Sequence, residues 1–336
     1  MKNGIALPES AARVVFGGDV MLGRIVKDAI RRFGAQYPLG PVAGLMRDAD
    51  LAVINLECAM TASEREWAGA PKAFYFGAPP EAIHALTDAG IDLVSLANNH
   101  LLDYDVAGLR DTLHYLRHAG IGHAGAGVDL AAALAPAIIA RKGMRFGMAS
   151  FCDHQADFAA GRHSPGIAWL DFDDEVLALE AWRRALASMQ AAGVDWPILS
   201  LHWGPNMVDR PSNRFRRLAH AAIDMGWKIL FGHSAHVFQG IEIHKGCPIL
   251  YAAGDLVDDY RVDPDFRNDH QLLFEMLLSR NAVHRIRLHP VVIDDCQARP
   301  VTGKTANDIV SRMSMLCAEL GTCVQKEDRE AWIEVT

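Results

Sequence analysis

The sequence predicts an α/β protein whose chemistry lies along one edge of a layered sheet structure, and two observations predict it. Strand-like and helix-like segments alternate through the first three quarters of the chain, as they do where helices cover a parallel sheet. At or just beyond the ends of the apolar, strand-like runs stand Asp19, Glu57, Asn99 with His100, His202, and the pair His233 and His236. A doubly wound sheet gathers the carboxyl ends of its strands along one crevice, so residues far apart in the chain can converge there.

The elements follow in order. RVVFGG (13–18) and DLAVIN (50–55) are short β-branched or apolar runs, and residues 22–48 between them read as helix and loop. PPEAIHALTDAG (79–90) opens on proline, keeps helical apolar spacing and closes on glycine, the start and stop signals of a helix. IDLVSLAN (91–98) reads as a buried strand, and DVAGLRDTLHYLRHAG (105–120) as an amphipathic helix ended by Gly120. PAIIARKGMRFGMASF (136–151) predicts a hairpin around Lys142-Gly143. Residues 152–172 are polar and irregular, long enough for a functional loop. A helix over 174–192, the strand WPILSLH (196–202), a helix over 212–226, the strand WKILFG (227–232) and a hairpin over 241–254 at Gly246 complete the alternation. Beyond an acidic loop from about 256, the tail predicts strands at 271–279 and 282–293, a helix at 304–320 and one last strand. No internal repeat or Pro/Gly/Ser-rich linker divides the chain, so a single domain over 1–336 is expected.

At 336 residues and 50% hydrophobic, the chain can bury a large core, which excludes disorder as its main state. A net charge of −8 argues against a surface built to neutralise nucleic-acid phosphates. No apolar leader segment precedes the first strand, and no run reaches the roughly 18 residues of a spanning helix. Six scattered cysteines without a C-x-x-C pair read as reduced thiols of a cytoplasmic protein. Cys58, beside Glu57, is the thiol to watch.

Carboxylate, amide and imidazole together suit divalent transition metals. Gly17-Gly18 before Asp19 predicts a tight turn that aims the carboxylate into the crevice, and Glu57 after Asn55-Leu56 is placed to bridge two cations. Singly these are weak signals: an Asp after a strand is more often a turn or helix cap. In Asn98-Asn99-His100 an amide oxygen can ligate while the adjacent imidazole protonates a leaving group, against the plainer reading of an Asn-rich turn. A lone His202 is better read as a hydrogen-bonded core residue. His233 and His236, three apart on one short loop, fit shared ligation. The ordered series lifts the joint reading above its parts. It points to a two-metal hydrolase, in which paired ions lower the pKa of a bound water and clamp the attacking and leaving oxygens of a phosphoester.

FGGDVMLGR, NLECAMT, KAFYFGAPP, IDLVSLANNHLLDYDVAGLRDTLHYLRHAGIGHAGAG, LHWGP and FGHSAHVFQGIEIHKGCPILYAAGD resemble, in order and spacing, the CapA family of capsule and poly-γ-glutamate synthesis proteins, within the calcineurin-like metallophosphoesterase superfamily. The resemblance runs from about residue 13 to 256, and residues 257–336 add C-terminal strands and a helix to that motif core. It implies a four-layer α/β/β/α sandwich with Asp19 and Glu57 as carboxylate ligands and Glu57 as the bridge. Asn99, His202 and His233 complete one metal and His236 the other, with His100 near the leaving group. Arg24 is placed to contact an anionic substrate, and is equally readable as a surface ion pair. Three positions depart from the pattern. Met21 stands where the superfamily's first motif usually offers a histidine, Asn206 where CapA-like chains often carry a glutamate, and Asp255 where they often carry an asparagine. Asp255 reads equally as an added ligand or a structural cap.

The expected function is therefore a cytoplasmic metal-dependent hydrolase that cleaves a phosphoester with a metal-bound hydroxide, using two ions of Mn, Fe or Zn. The expected partner is an anionic small molecule or polymer, with neither nucleic acid nor an integral membrane segment. Two rivals stand beside it: a non-hydrolytic accessory of poly-γ-glutamate or capsule polymer synthesis or export, and a metal-dependent γ-glutamyl amide hydrolase.

Overall fold

The computed structural model describes residues 11–335, so most of the N-terminal stretch in which no leader is predicted lies outside the described residues. Two sheets lie face to face. The first runs in the order Val324–Glu327, Glu330–Glu334, Val283–Asp294, His270–Leu278, Ala12–Val20, Leu51–Leu56, Leu93–Ser95, Gly122–Ala124. Asp255–Val257 also pairs with Ala12–Val20, and Gln297–Pro300 with Val283–Asp294. The second runs Ile241–His244, Cys247–Leu250, Ile229–His233, Trp196–His202, Met144–Cys152, Ala137–Arg141.

The two-residue period of a strand sorts side chains between layers. On the first sheet Val14, Phe16 and Val53 face the second sheet, where they meet Phe146, Ile198 and Phe231. The rings of Phe16 and Phe231 lie 5.2 Å apart across this interface. Val15, Ala52 and Ile54 face the other way, onto the helices Arg24–Phe33, Ile83–Ala89 and Asp105–Ala119. The outer face of the second sheet, with Phe151, Leu199 and Leu201, packs on the helices Glu175–Ala191 and Asn213–Met225 around the fully buried Trp182. Each such aliphatic or aromatic side chain contributes about 1.5–3 kcal/mol by leaving water. The result is the expected α/β/β/α sandwich. The helix Gly303–Glu319 belongs to neither outer layer, because its Ile309, Met313 and Leu316 enter the core between the sheets.

Parallel pairing dominates where the candidate ligands sit. Ala12–Val20, Leu51–Leu56, Leu93–Ser95 and Gly122–Ala124 are mutually parallel, as are Met144–Cys152, Trp196–His202, Ile229–His233 and Cys247–Leu250. The carboxyl ends of the strands in each set therefore fall along one sheet edge.

Three expectations are corrected. Gly17-Gly18 makes no turn, because the strand runs on to Val20. The requirement at Gly18 is close approach instead: a Cβ there would lie 1.9 Å from the Gly254 carbonyl oxygen, which accepts a hydrogen bond from the Asp19 amide at 2.9 Å. The strand expected over 91–98 is confined to Leu93–Ser95, because the chain then turns to present Asn99 and His100. The tail forms a hairpin, Val324–Glu327 with Glu330–Glu334, where one strand was expected, and adds Gln297–Pro300.

Candidate metal centre

Asp19 lies at the centre of the edge, opposite Asn55 on one neighbouring strand and Asp255 on the other. Its Oδ1 accepts a hydrogen bond from Asn55 Nδ2 at 2.8 Å, and its Oδ2 accepts one from the Ser234 amide of the second sheet at 3.0 Å. Glu57 follows the last residue of Leu51–Leu56 and is anchored by its amide to the Val20 carbonyl at 3.0 Å. The Asn99–His100 turn is stitched to the first sheet by Asn98. Its amide nitrogen reaches Asn55 Oδ1 at 3.1 Å and the Leu56 carbonyl at 2.8 Å, while its oxygen accepts from the His100 amide at 3.1 Å.

His202 and His233 end neighbouring strands of the second sheet in register. Their Nδ1 atoms stand 2.9 Å apart, His202 Nε2 is 2.9 Å from Asn99 Oδ1, and Ser200 Oγ is 2.9 Å from His233 Nε2. Beyond His233 the backbone takes left-handed conformations at Ser234 (φ 100°) and His236 (φ 59°), a strain of about 1–3 kcal/mol each. The bend brings His236 Nδ1 to 3.0 Å from Asp255 Oδ1 and 4.0 Å from Asp19 Oδ2.

Two overlapping donor sets result. Asp19, His202 and His233 offer ligand atoms all within 4.8 Å of one another, and so do Asp19, Glu57, His236 and Asp255. Asn99 joins the first through His202. The oxygen donors come from the first sheet and the imidazoles from the second. The residues fit a divalent ion by a direct observation: Glu57 is buried, yet neither carboxylate oxygen has a hydrogen-bond partner. A buried carboxylate left unpaired is costly. His202 Nε2 at 3.7 Å and His100 Nε2 at 4.0 Å from Glu57 Oε1 leave space between these groups.

Burial acts on both donor types and disfavours the charged form of each. It pushes Asp19 up to about 7, aided by repulsion from Asp255, and pushes Asp255 itself to about 7. Glu57 rises well above the carboxylate range by burial and then by the charges of Asp19 and Asp255. Burial lowers His233 to about 3, and it lowers His202 and His236 as well, with His233 adding to the effect on His202. The imidazoles are thus neutral, the state in which they ligate.

His100 stands apart from the ligands. Its Nδ1 is 2.6 Å from Asp103 Oδ2 and its ring stacks on Phe76 with centroids 3.7 Å apart, which leaves Nε2 facing Glu57. Burial lowers it to about 4 against the opposing bond and charge of Asp103. Asp103 is held in turn by the Phe76 amide at 2.7 Å and by Lys72, whose Nζ also meets the Asn99 carbonyl. Arg24 forms an ion pair with Asp259 at 3.4 Å and lies 4.6 Å over the Phe74 ring. Asn206 is exposed and outside the cluster, whereas Met21 is buried. Cys58 is buried and its thiol is pushed up to about 12, so it is no nucleophile. All six cysteines are free.

Asp255, readable from the sequence equally as a ligand or a cap, lies in the second donor set, and two supporting residues that the sequence reading did not single out are Asp103 and Lys72. Asp103 is signalled by its spacing three after His100. Lys72 lies in an irregular segment and carries no local signal.

Residues 13–260 match the family described as bacterial capsule synthesis protein PGA_cap. The chain belongs to that family. Its relatives include the capsule biosynthesis protein CapA of Bacillus anthracis, 27% identical over 95% of this chain and 76% of that protein. A probable polyglutamine synthesis accessory protein of Mycobacterium tuberculosis is 32% identical over 78% of this PGA_cap chain and 79% of its own length. Among solved structures, the sulfate thiohydrolase SoxB of Thermus thermophilus superposes with a TM-score of 0.47 at 11% identity, over 92% of this chain and 60% of that one. Among the described residues no helix is long and apolar enough to cross a membrane.

Proposed function

We propose that this PGA_cap protein is a metal-dependent hydrolase of phosphoesters. The observation that carries the reading is the buried, unpartnered carboxylate of Glu57 between the imidazoles of His202 and His100. Asp19, Glu57, Asn99, His202, His233 and His236 would hold the ions, with Mn²⁺, Fe²⁺ or Zn²⁺ suited to such mixed donors. When bound, divalent ions supply Lewis acidity toward a phosphoryl oxygen and activate water for attack. Asn98 and the Ser234 amide fix the donors, so little reorganisation is needed.

His100 handles the proton at the leaving group. Asp103 fixes the Nδ1–H tautomer, so Nε2 is the atom presented to substrate. With its pKa lowered by burial, the resting ring is neutral. An anionic phosphoester beside Nε2 adds the negative charge that favours the imidazolium, so the acid form arises in the substrate complex. Arg24, at the start of its helix, offers a guanidinium to the same anion if it releases Asp259.

The family match favours a setting in capsule or polyglutamate synthesis, and with it a second reading as an accessory that binds the anionic polymer without cleaving it. γ-Glutamyl amide hydrolysis would use the same donors. One experiment separates the three. Protein purified without chelator is analysed for metal, then supplied with Mn²⁺ and screened against phosphomonoesters, phosphodiesters and γ-glutamyl peptides. Stoichiometric metal with phosphoester turnover is expected. No transition metal and no turnover would overturn the hydrolase reading, and polyglutamate binding that survives Glu57→Gln and His236→Ala would favour the accessory role.

A further inference from the structure

The oxygen-rich half of the centre holds more acidic groups than the ligand series in the sequence requires. Asp19, Glu57 and Asp255 converge with one imidazole, His236. Asp255 is 1% exposed; its Oδ2 receives no N–H donor, and its carboxyl lies against that of Asp258, a fourth buried acid. The nearby cationic side chains are engaged elsewhere: Lys72 with Asp103 and the Asn99 carbonyl, Arg24 with Asp259. Were Asp255 only an acceptor for His236 Nδ1, Oδ1 alone would meet that need, and packing the buried acid Asp258 against the same carboxyl with no cation beside them would be unfavourable. The other donor set differs in kind, with two imidazoles and one amide oxygen beside the shared Asp19.

We propose that Asp255 is itself a metal ligand and that the two positions of the centre are chemically unequal. The position bounded by Asp19, Glu57, Asp255 and His236 takes a hard divalent cation such as Mn²⁺. The position bounded by Asn99, His202 and His233 takes a borderline one such as Zn²⁺. Carboxylate oxygens suit Mg²⁺ and Mn²⁺, whereas imidazoles suit Zn²⁺ and the later transition metals. Zn²⁺ outcompetes Mn²⁺ at most N/O sites, so the inequality shows itself in the order of displacement rather than in simple occupancy. This inference rests on the metal-centre reading above.

The test loads chelated protein with Mn²⁺, titrates in Zn²⁺, and locates each ion in crystals by anomalous scattering at the two absorption edges. The expected result is a two-step exchange. Zn²⁺ replaces the ion beside His202 and His233 at a concentration about tenfold or more lower than the ion beside Asp255, and an Asp255 oxygen lies within about 2.2 Å of the retained Mn²⁺. Asp255→Asn should weaken Mn²⁺ at that position by about 10–100-fold and merge the two steps, with circular dichroism unchanged. Single-step exchange in the natural protein, or an ion at that position with Asp255 beyond bonding distance and bonded only to His236, would overturn the inference. The crystallographic result needs no variant, so poor folding of Asp255→Asn does not disable the test. Two ions bound without Asp255 contact removes this inference alone. No metal bound at all removes the metal-centre reading with it.

Discussion

Two buried carboxylate regions on the first sheet contrast sharply. Glu275, on His270–Leu278, pairs with Val15, on the strand that carries Asp19 at its far end. It is 3% exposed, yet it accepts hydrogen bonds from Arg13 Nε at 2.7 Å and His289 Nε2 at 2.8 Å. Burial alone would raise it, but the hydrogen bonds from His289 and Arg13 hold it down at about 2. Asp19 and Asp255, which lie deeper still, sit near 7. Both regions are buried, the strand ends more deeply, and they differ as well in whether the chain supplies hydrogen-bonding partners that hold the carboxylate charged. Where a fixed cation suffices for stability, the sequence places arginine and histidine. At the strand ends it places three acids and neutral imidazoles, and leaves the charge to be brought in.

The prediction with the largest expected effect breaks that contrast at Glu57. Glu57→Gln keeps the side chain's size but offers one oxygen and no charge, so metal occupancy and turnover should fall together while circular dichroism stays that of the natural protein. Elemental analysis that still finds the natural metal content, with near-normal turnover, would remove Glu57 from the proposed ligands.

A second variant separates proton transfer from ion holding. His100→Asn should retain metal and lower turnover by about 10²–10⁴-fold, with a smaller loss on nitrophenyl esters, whose leaving group needs little protonation. Equal losses on good and poor leaving groups would remove the acid role.

The smallest effect is on stability and tests the compensated region. Glu275→Gln should lower unfolding stability by about 1–3 kcal/mol near neutral pH and leave metal content unchanged. Because the folded Glu275 pKa lies near 2 and the ordinary value is 4.5, its stabilisation is complete above 4.5 and is lost as pH falls toward 2. The difference in urea midpoint between the two proteins should therefore shrink across that window, and a constant difference would mean that ionisation is not its source.

Asp19, Glu57, His202 and His233 were legible because each ends an apolar run, where residue type and strand position together forecast convergence. His236 followed from its spacing to His233. Asp255 was seen but left undecided, since its role depends on lying beside Asp19 in the sheet, a register no local pattern reveals. Lys72 and Glu275 were silent for a related reason. Lys72 acts through a distant Asp103, and Glu275 reads as one polar residue in an apolar strand until the fold brings Arg13 and His289 to it. The alternation of strands and helices was accessible from periodicity and the four-layer stacking from the family resemblance, whereas the Gly18 contact was not, because it depends on the approach of Gly254.

The division of donors, oxygen from one sheet and nitrogen from the other, has a mechanical consequence. An ion held by both is a rivet across the sandwich, and its binding energy becomes energy of sheet-to-sheet closure. At a free metal concentration one hundred times its dissociation constant, that linkage adds about 2.7 kcal/mol to the folded state. Stripping the metal should therefore loosen this edge first, with amide exchange at His202 and His233 quickening before it does at the far end of the strands.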